Sequence, residues 1–348
     1  MTIVRVADSH DKQRWDNFVI SHADAGPYHL FAWKEAVESA YRHRAFYLMA
    51  EDRCGSVRGV LPLVLVKPPF LKGTLVSLPF CDYGGVLASD NETNDVLIHT
   101  AVELSQNLKA CLELRLKKPE NLFQGLPRLS ALSHKVRMVL DLPKSSGILW
   151  NGFKSKLRSQ VKRPQKDGFE FILGSTDLVN DFYSVFSTNM RELGSPVHSR
   201  IWISAVIRSY EGKARIGIVY DGKRPIAGGI ILECNTTISI PWASALNEYS
   251  RSSPNMLLYW GFLKHASDNG FIQFDFGRST PDEGTYRFKE QWGAVPFPLF
   301  WYGEGLSRSS GQEGLSDKIR PLIEKAWARI PRKVTDTLGP VVRRYISL

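Results

Sequence analysis

The chain has 348 residues, 43% of them hydrophobic and 11% aromatic, a composition that excludes a disordered or fibrous chain and gives room for two domains plus an appendage. Its net charge of +10 favours a polyanionic partner such as a nucleotide, a transfer RNA, a phosphorylated lipid or the inner surface of a membrane. The opening residues carry no basic region leading into an apolar stretch, and the longest apolar run, Val60 to Val66, is far too short for a membrane span. The expectation is a cytoplasmic protein without an integral span, placed at most at the inner face of the membrane. The four cysteines, Cys54, Cys81, Cys111 and Cys234, show no CxxC pairing and no histidine at ligand spacing, so neither a metal site nor a disulfide framework is expected.

Taken in chain order, two stretches repeat one succession of elements. Gly59 to Val66 reads as a buried strand, and Thr74 to Pro79 as a second one leading into the loop Phe80-Cys-Asp-Tyr-Gly-Gly85. A helix then carries Leu97, Ala101, Leu104 and Leu108 on one face, and Cys111 to Leu116 reads as a returning strand. After a break at Leu142 to Gly152, where Pro143, Ser145, Ser146 and Gly147 interrupt the periodicity, a basic stretch holds Lys154, Lys156, Arg158, Lys162, Arg163 and Lys166 without an acid. The succession then recurs: Ile226 to Glu233, Thr237 to Ala243, a polar loop over Leu246 to Asn255, a helix starting at Ser253-Pro254-Asn255, and a strand over Phe271 to Phe276. A hairpin, loop, helix and returning strand suit one half of an acyl-transfer enzyme, with a cleft where neighbouring strands part. The repeat gives domains over 1–145 and 146–304. Residues 305–348, with nine Lys/Arg against four Asp/Glu, read as a basic amphipathic tail whose removal leaves both domains folded. Its apolar face, Leu315, Ile319, Leu322, Ile323, Ala326 and Ile330, suits either docking on the body or a membrane surface.

The densest site signal is Phe274-Asp-Phe-Gly-Arg-Ser-Thr280 followed by Gly284-Thr-Tyr-Arg-Phe-Lys-Glu-Gln-Trp-Gly293. A strand ending in Gly-Arg-Ser-Thr places the guanidinium of Arg278 and the hydroxyls of Ser279 and Thr280 at a carboxyl edge, where α/β folds bind ligands. Arg278 can grip phosphate or carboxylate, or instead pair with Asp275 or Asp282 to pin the turn. Lys289 adds a point charge just beyond, or else solvates its own helical turn. Asp82 and Tyr83 are candidates to orient an incoming amine or take its proton, with Gly84 and Gly85 letting backbone approach a ligand; the alternative is a turn-forming Asp. His198, on an expected loop, titrates in a useful range or is simply structural. Arg158 and Lys162 share a helix face, with a ligand-facing or a solvated reading.

These motifs carry a resemblance. Phe276 to Thr280 with Gly284 to Ala294 is similar to the C-terminal signature of FemAB-related proteins, in the branch associated with exosortase and PEP-CTERM exopolysaccharide systems. Leu149 to Arg163, Leu193 to His198, Ala227 to Gly229, Pro254 to Trp260, Trp33 and Pro79 to Gly85 extend it over roughly residues 1–303, with Trp327 to Pro331 and Leu338 to Pro340 beyond. The resemblance implies an α/β fold of mixed sheets, two tandem GNAT-like domains, moving an acyl or aminoacyl group onto an amine of an anionic cell-envelope precursor related to peptidoglycan or exopolysaccharide. It implies no tightly bound cofactor and a co-substrate donor, either aminoacyl-tRNA or acyl-CoA. It places Lys289 near the donor or the transition state, and Trp33 in the substrate site. Two departures stand out. Asn247 to Asn255 contains no glycine where acetyl-CoA enzymes use a Gly-rich turn to cradle pyrophosphate, and no heptads form a coiled-coil arm. A non-catalytic module that kept the fold and recruits envelope enzymes is the competing reading. Binding driven by charge alone, to nucleic acid, lacks the interleaved aromatics that stack bases.

Overall fold

The structure, a computed structural model, describes residues 2–119, 129–131, 135–304 and 315–347. The elements run β1 (Ile3–Val6), α1 (Lys12–Ser21), α2 (Phe31–Tyr41), β2 (Arg44–Glu51), β3 (Val57–Val66), β4 (Thr74–Val76), β5 (Leu87–Ala88), α3 (Asn91–Asn107), β6 (Cys111–Leu116) and β7 (Leu129–Ala131). They continue with β8 (Val136–Asp141), α4 (Ser146–Gly152), α5 (Ser155–Lys166), β9 (Glu170–Gly174), α6 (Val179–Glu192), α7 (Arg200–Ser209), β10 (Ala214–Asp221), β11 (Arg224–Cys234) and β12 (Thr237–Ala245). The last are α8 (Pro254–Asp268), β13 (Gln273–Ser279), α9 (Gly284–Glu290), β14 (Val295–Pro298), β15 (Phe300–Glu304), α10 (Leu315–Arg329) and α11 (Arg332–Arg343). Among the described residues no helix is long and apolar enough to cross a membrane.

Two mixed sheets form, one in each of two compact units. The first has the order β1-β2-β3-β4-β6-β15-β7 with β5 on β3, the second β14-β8-β13-β12-β11-β10-β9. The repeated succession corresponds to β3–β4–α3–β6 in one sheet and β11–β12–α8–β13 in the other, and in both the helix is the crossover between two parallel strands. The chain is therefore a tandem of two GNAT-type α/β folds.

The packing follows the sequence pattern. Asp90 caps α3 by accepting from the Thr93 amide at 2.8 Å. Helix α3 then lays Leu97, Ile98 and Ala101 onto Phe46, Leu48, Leu61, Leu63, Leu112 and Leu114, all buried. Each such side chain contributes about 1.5–3 kcal/mol on leaving water. In the second unit α8 packs on the middle of its sheet, and the Ala227-Gly-Gly229 run has a steric reason. A Cβ at Gly229 would lie 2.9 Å from the Phe262 ring of α8, and one at Gly217, opposite it on β10, 2.6 Å from the same ring.

The division of the chain differs from the sequence expectation of 1–145, 146–304 and 305–348. Compactness groups the described residues of 2–137 with 297–304 and 345–347, and those of 138–296 with 315–344. Strand β15, read from sequence as the end of the second domain, pairs antiparallel with β6, Phe300 opposite Leu116. Strand β8, read as the end of the first, lies beside β13 in the second sheet. Linear order hides such an exchange because a strand's pattern records only that it is buried, not which sheet buries it.

The tail is not an appendage. Helices α10 and α11 pack on α6. Arg332 donates to the Ser184 carbonyl and the Ser187 hydroxyl at 3.3 and 3.1 Å, and Arg191 of α6 to the Ile330 carbonyl at 2.7 Å. Backbones meet closely at two glycines: a Cβ at Gly194 would fall 2.3 Å from the Glu324 carbonyl oxygen, and one at Gly339 3.1 Å from the Val197 amide. Of the expected docking face, Leu322, Ile323 and Ala326 are exposed and Ile330 is half-buried. The side chains of Leu315 and Ile319 lie outside the described residues.

Candidate active site

The two parallel pairs start alike and then diverge. Strand β12 pairs with β13 only over Thr237 to Ser239 against Gln273 to Asp275, while its other edge stays paired with β11 as far as Ala245. Beyond Ser239 the edge facing β13 has no strand partner among the described residues, and a cavity of about 280 Å³ opens there. Its walls are Ala243, Ser244 and Ala245 of β12; Asn255, Leu258 and Tyr259 of α8; Asn189 of α6; and Gly284, Thr285, Phe288 and Lys289 of α9. The spacing explains the selection. Asn255 and Tyr259 are i, i+4 on α8, and Gly284 with Phe288 and Thr285 with Lys289 are i, i+4 on α9, so each helix offers one face.

Lys289 is 7% exposed. Its ammonium donates to the main-chain oxygens of Gly277 at 3.0 Å and Arg278 at 2.7 Å, which fixes the end of β13 where Gly277 takes a left-handed φ of 73°. The Gly277 amide is in turn held by the Asp275 carboxylate at 2.9 Å. Tyr259 stacks its ring on Phe276 and meets Phe288 edge-on. Burial pushes its phenol well above the ordinary range, so the group stays a neutral O–H donor at any working pH. Arg278 is half-buried, Ser279 buried and Thr280 half-buried at the end of β13, and none of the three lines the cavity. The Arg278 carbonyl is held by Lys289, which does line the cavity.

In the first unit the parallel pair, Thr74 to Val76 against Cys111 to Glu113, is followed by a loop that bridges the gap with its own backbone. Arg115, 1% exposed, donates to the Leu78 carbonyl at 3.2 Å and the Cys81 carbonyl at 2.9 Å, pairs with Glu113, and lies over the Trp301 ring. Trp33, fully buried, donates to the Pro79 carbonyl at 3.1 Å, and Trp301 to that of Asp82 at 3.0 Å. The Gly84 amide meets the Arg115 carbonyl at 3.1 Å, and His29 the Gly85 carbonyl at 3.1 Å. The polar backbone that a ligand would need is thus used by the protein itself. Gly84 and Gly85 serve packing, because added Cβ atoms would lie 2.5 Å from Leu78 and 2.2 Å from Leu116. Tyr83 is buried under the Lys117 ammonium, 4.1 Å from its ring centroid, and Asp82 is half-buried. A separate cavity of about 250 Å³ in this unit is lined by Gly85, His22, His29, Lys117 and the first turn of α3, but by neither Asp82 nor Tyr83.

His198 is 2% exposed, between Trp202 and Trp242, on a loop as expected, and burial holds its ring well below its ordinary value, which favours the structural of the two sequence readings. On α5, Leu157 and Val161 face inward, Arg158 is half-buried with Nη1 3.5 Å from the Asn151 carbonyl, and Lys162 is exposed with its ammonium 5.8 Å from the Trp150 ring centroid. Of the candidate catalytic and substrate-binding residues named from sequence, Lys289 lines this cavity, together with its motif neighbours Gly284, Thr285 and Phe288. Asn255 and Tyr259 were inside the Pro254 to Trp260 motif, and their i, i+4 spacing from a helix start was the available signal.

Residues 151–290 match the family described as Acetyltransferase (GNAT) domain, which spans α5 to α9 and every cavity wall. No curated protein matches the chain. Among solved structures the chain is similar to FemX, with a TM-score of 0.68 at 17% identity over 86% of this chain and 96% of that one. It is also similar to L-PGS from Bacillus licheniformis, 0.57 at 12% over 94% and 99%, and to a tandem GNAT protein from the clavulanic acid biosynthesis pathway, 0.53 at 11% over 87% and 98%. At these identities the likeness is one of fold.

Proposed function

We propose that the protein transfers an acyl or aminoacyl group onto an amine of an anionic cell-envelope precursor, related to peptidoglycan or exopolysaccharide, and that the transfer takes place in the second unit. The observation that carries this reading is the parting of β12 from β13 beyond Ser239, which leaves a strand edge exposed to a cavity inside the GNAT-matched region. The fold shared with FemX and L-PGS is compatible with such a transfer, and the envelope setting rests on the sequence resemblance.

The chemistry asks little of side chains. A neutral amine attacks the acyl carbon of an activated ester or thioester; a C–N bond forms, the C–O or C–S bond breaks, and the amine's proton leaves with the departing oxygen or sulfur. Most of the acceleration comes from position and from donors aimed at the developing oxyanion. In this reading the open edge of β12 and Asn255 orient the acyl carbonyl. Tyr259, kept protonated by burial, donates to the leaving group, and Lys289 fixes the end of β13 while adding positive potential to the wall. Arg158, Lys162 and Arg278 are proposed to meet the precursor's negative charge, and Ser279 and Thr280 to shape its site; Trp33, Asp82, Tyr83 and His198 act through the fold.

The donor is aminoacyl-tRNA or acyl-CoA. At the start of α8 Pro254 has no N–H, and the Met256 amide already meets the Ser253 carbonyl at 3.0 Å, so a pyrophosphate would find few free amides there. Incubation of the purified chain with each donor and with amine-bearing envelope precursors, read by mass spectrometry, tests the proposal. Acyl-adduct formation from one donor class supports it. A second reading, a binding module without turnover, is favoured by cavity walls whose polar side chains, among the described residues, are Asn, Ser, Thr, Tyr and Lys, and predicts precursor binding with transfer from neither donor. On either reading the basic tail suits contact with the inner face of the membrane.

A further inference from the structure

The hairpin tip between β3 and β4 reads Lys67-Pro-Pro-Phe-Leu-Lys72. Phe70 is fully exposed and Leu71 65% exposed, so Phe70 buries no apolar surface in the fold and most of Leu71 stays in water. Phe70 also holds a φ of 62°, a left-handed position that glycine and asparagine adopt at much lower cost. Folding therefore gains nothing from an aromatic side chain here. The tip is nonetheless well braced. Two prolines stiffen its stem, the Leu71 amide closes a turn on the Pro68 carbonyl at 3.3 Å, and the Gly73 carbonyl takes the Cys111 amide at 2.9 Å. Lys67 and Lys72 flank the apolar pair, both exposed, and no acid occurs between Asp52 and Asp82.

We infer that this tip is a bilayer anchor: Phe70 and Leu71 enter the interface of an anionic membrane while Lys67 and Lys72 rest on its phosphates. A convex apolar tip with cations on both sides matches a flat, negatively charged surface that is soft to a ring and attractive to ammonium groups. Bracing keeps the ordering cost of binding small. The inference stands on the first unit alone and does not depend on the transfer reaction.

Flotation of the full chain with vesicles of phosphatidylethanolamine and phosphatidylglycerol, and with vesicles of phosphatidylcholine only, tests it. The native chain is expected to float with the anionic vesicles. Phe70→Asn with Leu71→Ser, which relieves the left-handed backbone and disturbs no packing, should lower the partition coefficient about tenfold without lowering Tm. Lys67→Glu with Lys72→Glu should weaken anionic binding similarly. Failure of the native chain to bind, or equal binding by the Phe70/Leu71 variant, overturns the inference. So does light scattering in which that variant's only effect is to dissolve a concentration-dependent dimer, which would make the occupant a second copy of the chain.

Discussion

The ammonium of Lys289 lies 2.7 Å from the carbonyl oxygen of Arg278. Because the same nitrogen also holds the Gly277 carbonyl, this lysine is both a charge on the cavity wall and a clamp on the strand beside it. Lys289→Met keeps the apolar stem but strands two acceptors, each costing about 1–3 kcal/mol when unmet. The variant is expected to lose both turnover and thermal stability. If Lys289 supplied only a point charge to the cavity, turnover would fall with Tm unchanged; a melting curve matching the native one would show that the clamp carries no stability.

Tyr259→Phe removes one hydroxyl from a stacked, buried ring, so packing should survive. Turnover is expected to fall by about a hundred- to a thousandfold, on the scale of losing one transition-state donor, with KM for the acyl donor little changed. Native kcat in this variant would assign leaving-group protonation elsewhere.

Stability should depend on two buried histidines. Burial, with Lys117 nearby, holds His29 at about 3, and burial holds His198 well below 6.5. Both are neutral in the folded chain, whereas the unfolded chain protonates them near 6.5. Stability from this source is complete above about pH 6.5 and is lost as pH falls below it, by about 1.4 kcal/mol per pH unit for each histidine, with the loss from His29 running down to about 3. Thermal melts from about pH 7.5 down to about pH 5 should show a steady fall in Tm; a flat profile would mean that the two rings are not held neutral.

Removing residues 305–348 should destabilise the protein. It strips α10 and α11 from α6, and it removes Ser347, whose carbonyl takes the Phe80 amide at 2.6 Å and Arg115 Nη1 at 3.2 Å. A fall in Tm of about 5 °C or more is expected. An unchanged Tm would return the tail to the status of an appendage.

Local pattern made much of the fold legible and left its connections dark. The helix stripe of Leu97 and Ala101, the strand over Cys111 to Leu116 and the helix start at Pro254 all stand where periodicity and capping put them. What escaped was non-local: β15 joining the first sheet, and Arg115, a charged residue in the middle of an apolar strand, proving to be the buried bracket of the Pro79 to Gly85 loop. The site was legible in the same measure. Lys289 was visible through its motif, while the loop of Asp82 and Tyr83 looked like a ligand loop because glycines, an acid and an aromatic suit both ligand approach and tight self-packing. Only the hydrogen bonds to its carbonyls tell these apart.

The central claim is that the cavity beside the parted strands of the second unit is where transfer happens. Gly284 lines it, and a Cβ added there meets no atom within 4 Å, so Gly284→Phe should fill the space without distorting its surroundings. The decisive measurement is single-turnover acyl transfer by this variant beside Asn91→Trp, which narrows the first unit's cavity, using the donor that supports transfer by the native chain. The account predicts that Gly284→Phe abolishes transfer at native Tm while Asn91→Trp retains it. Native transfer rates in Gly284→Phe would contradict it.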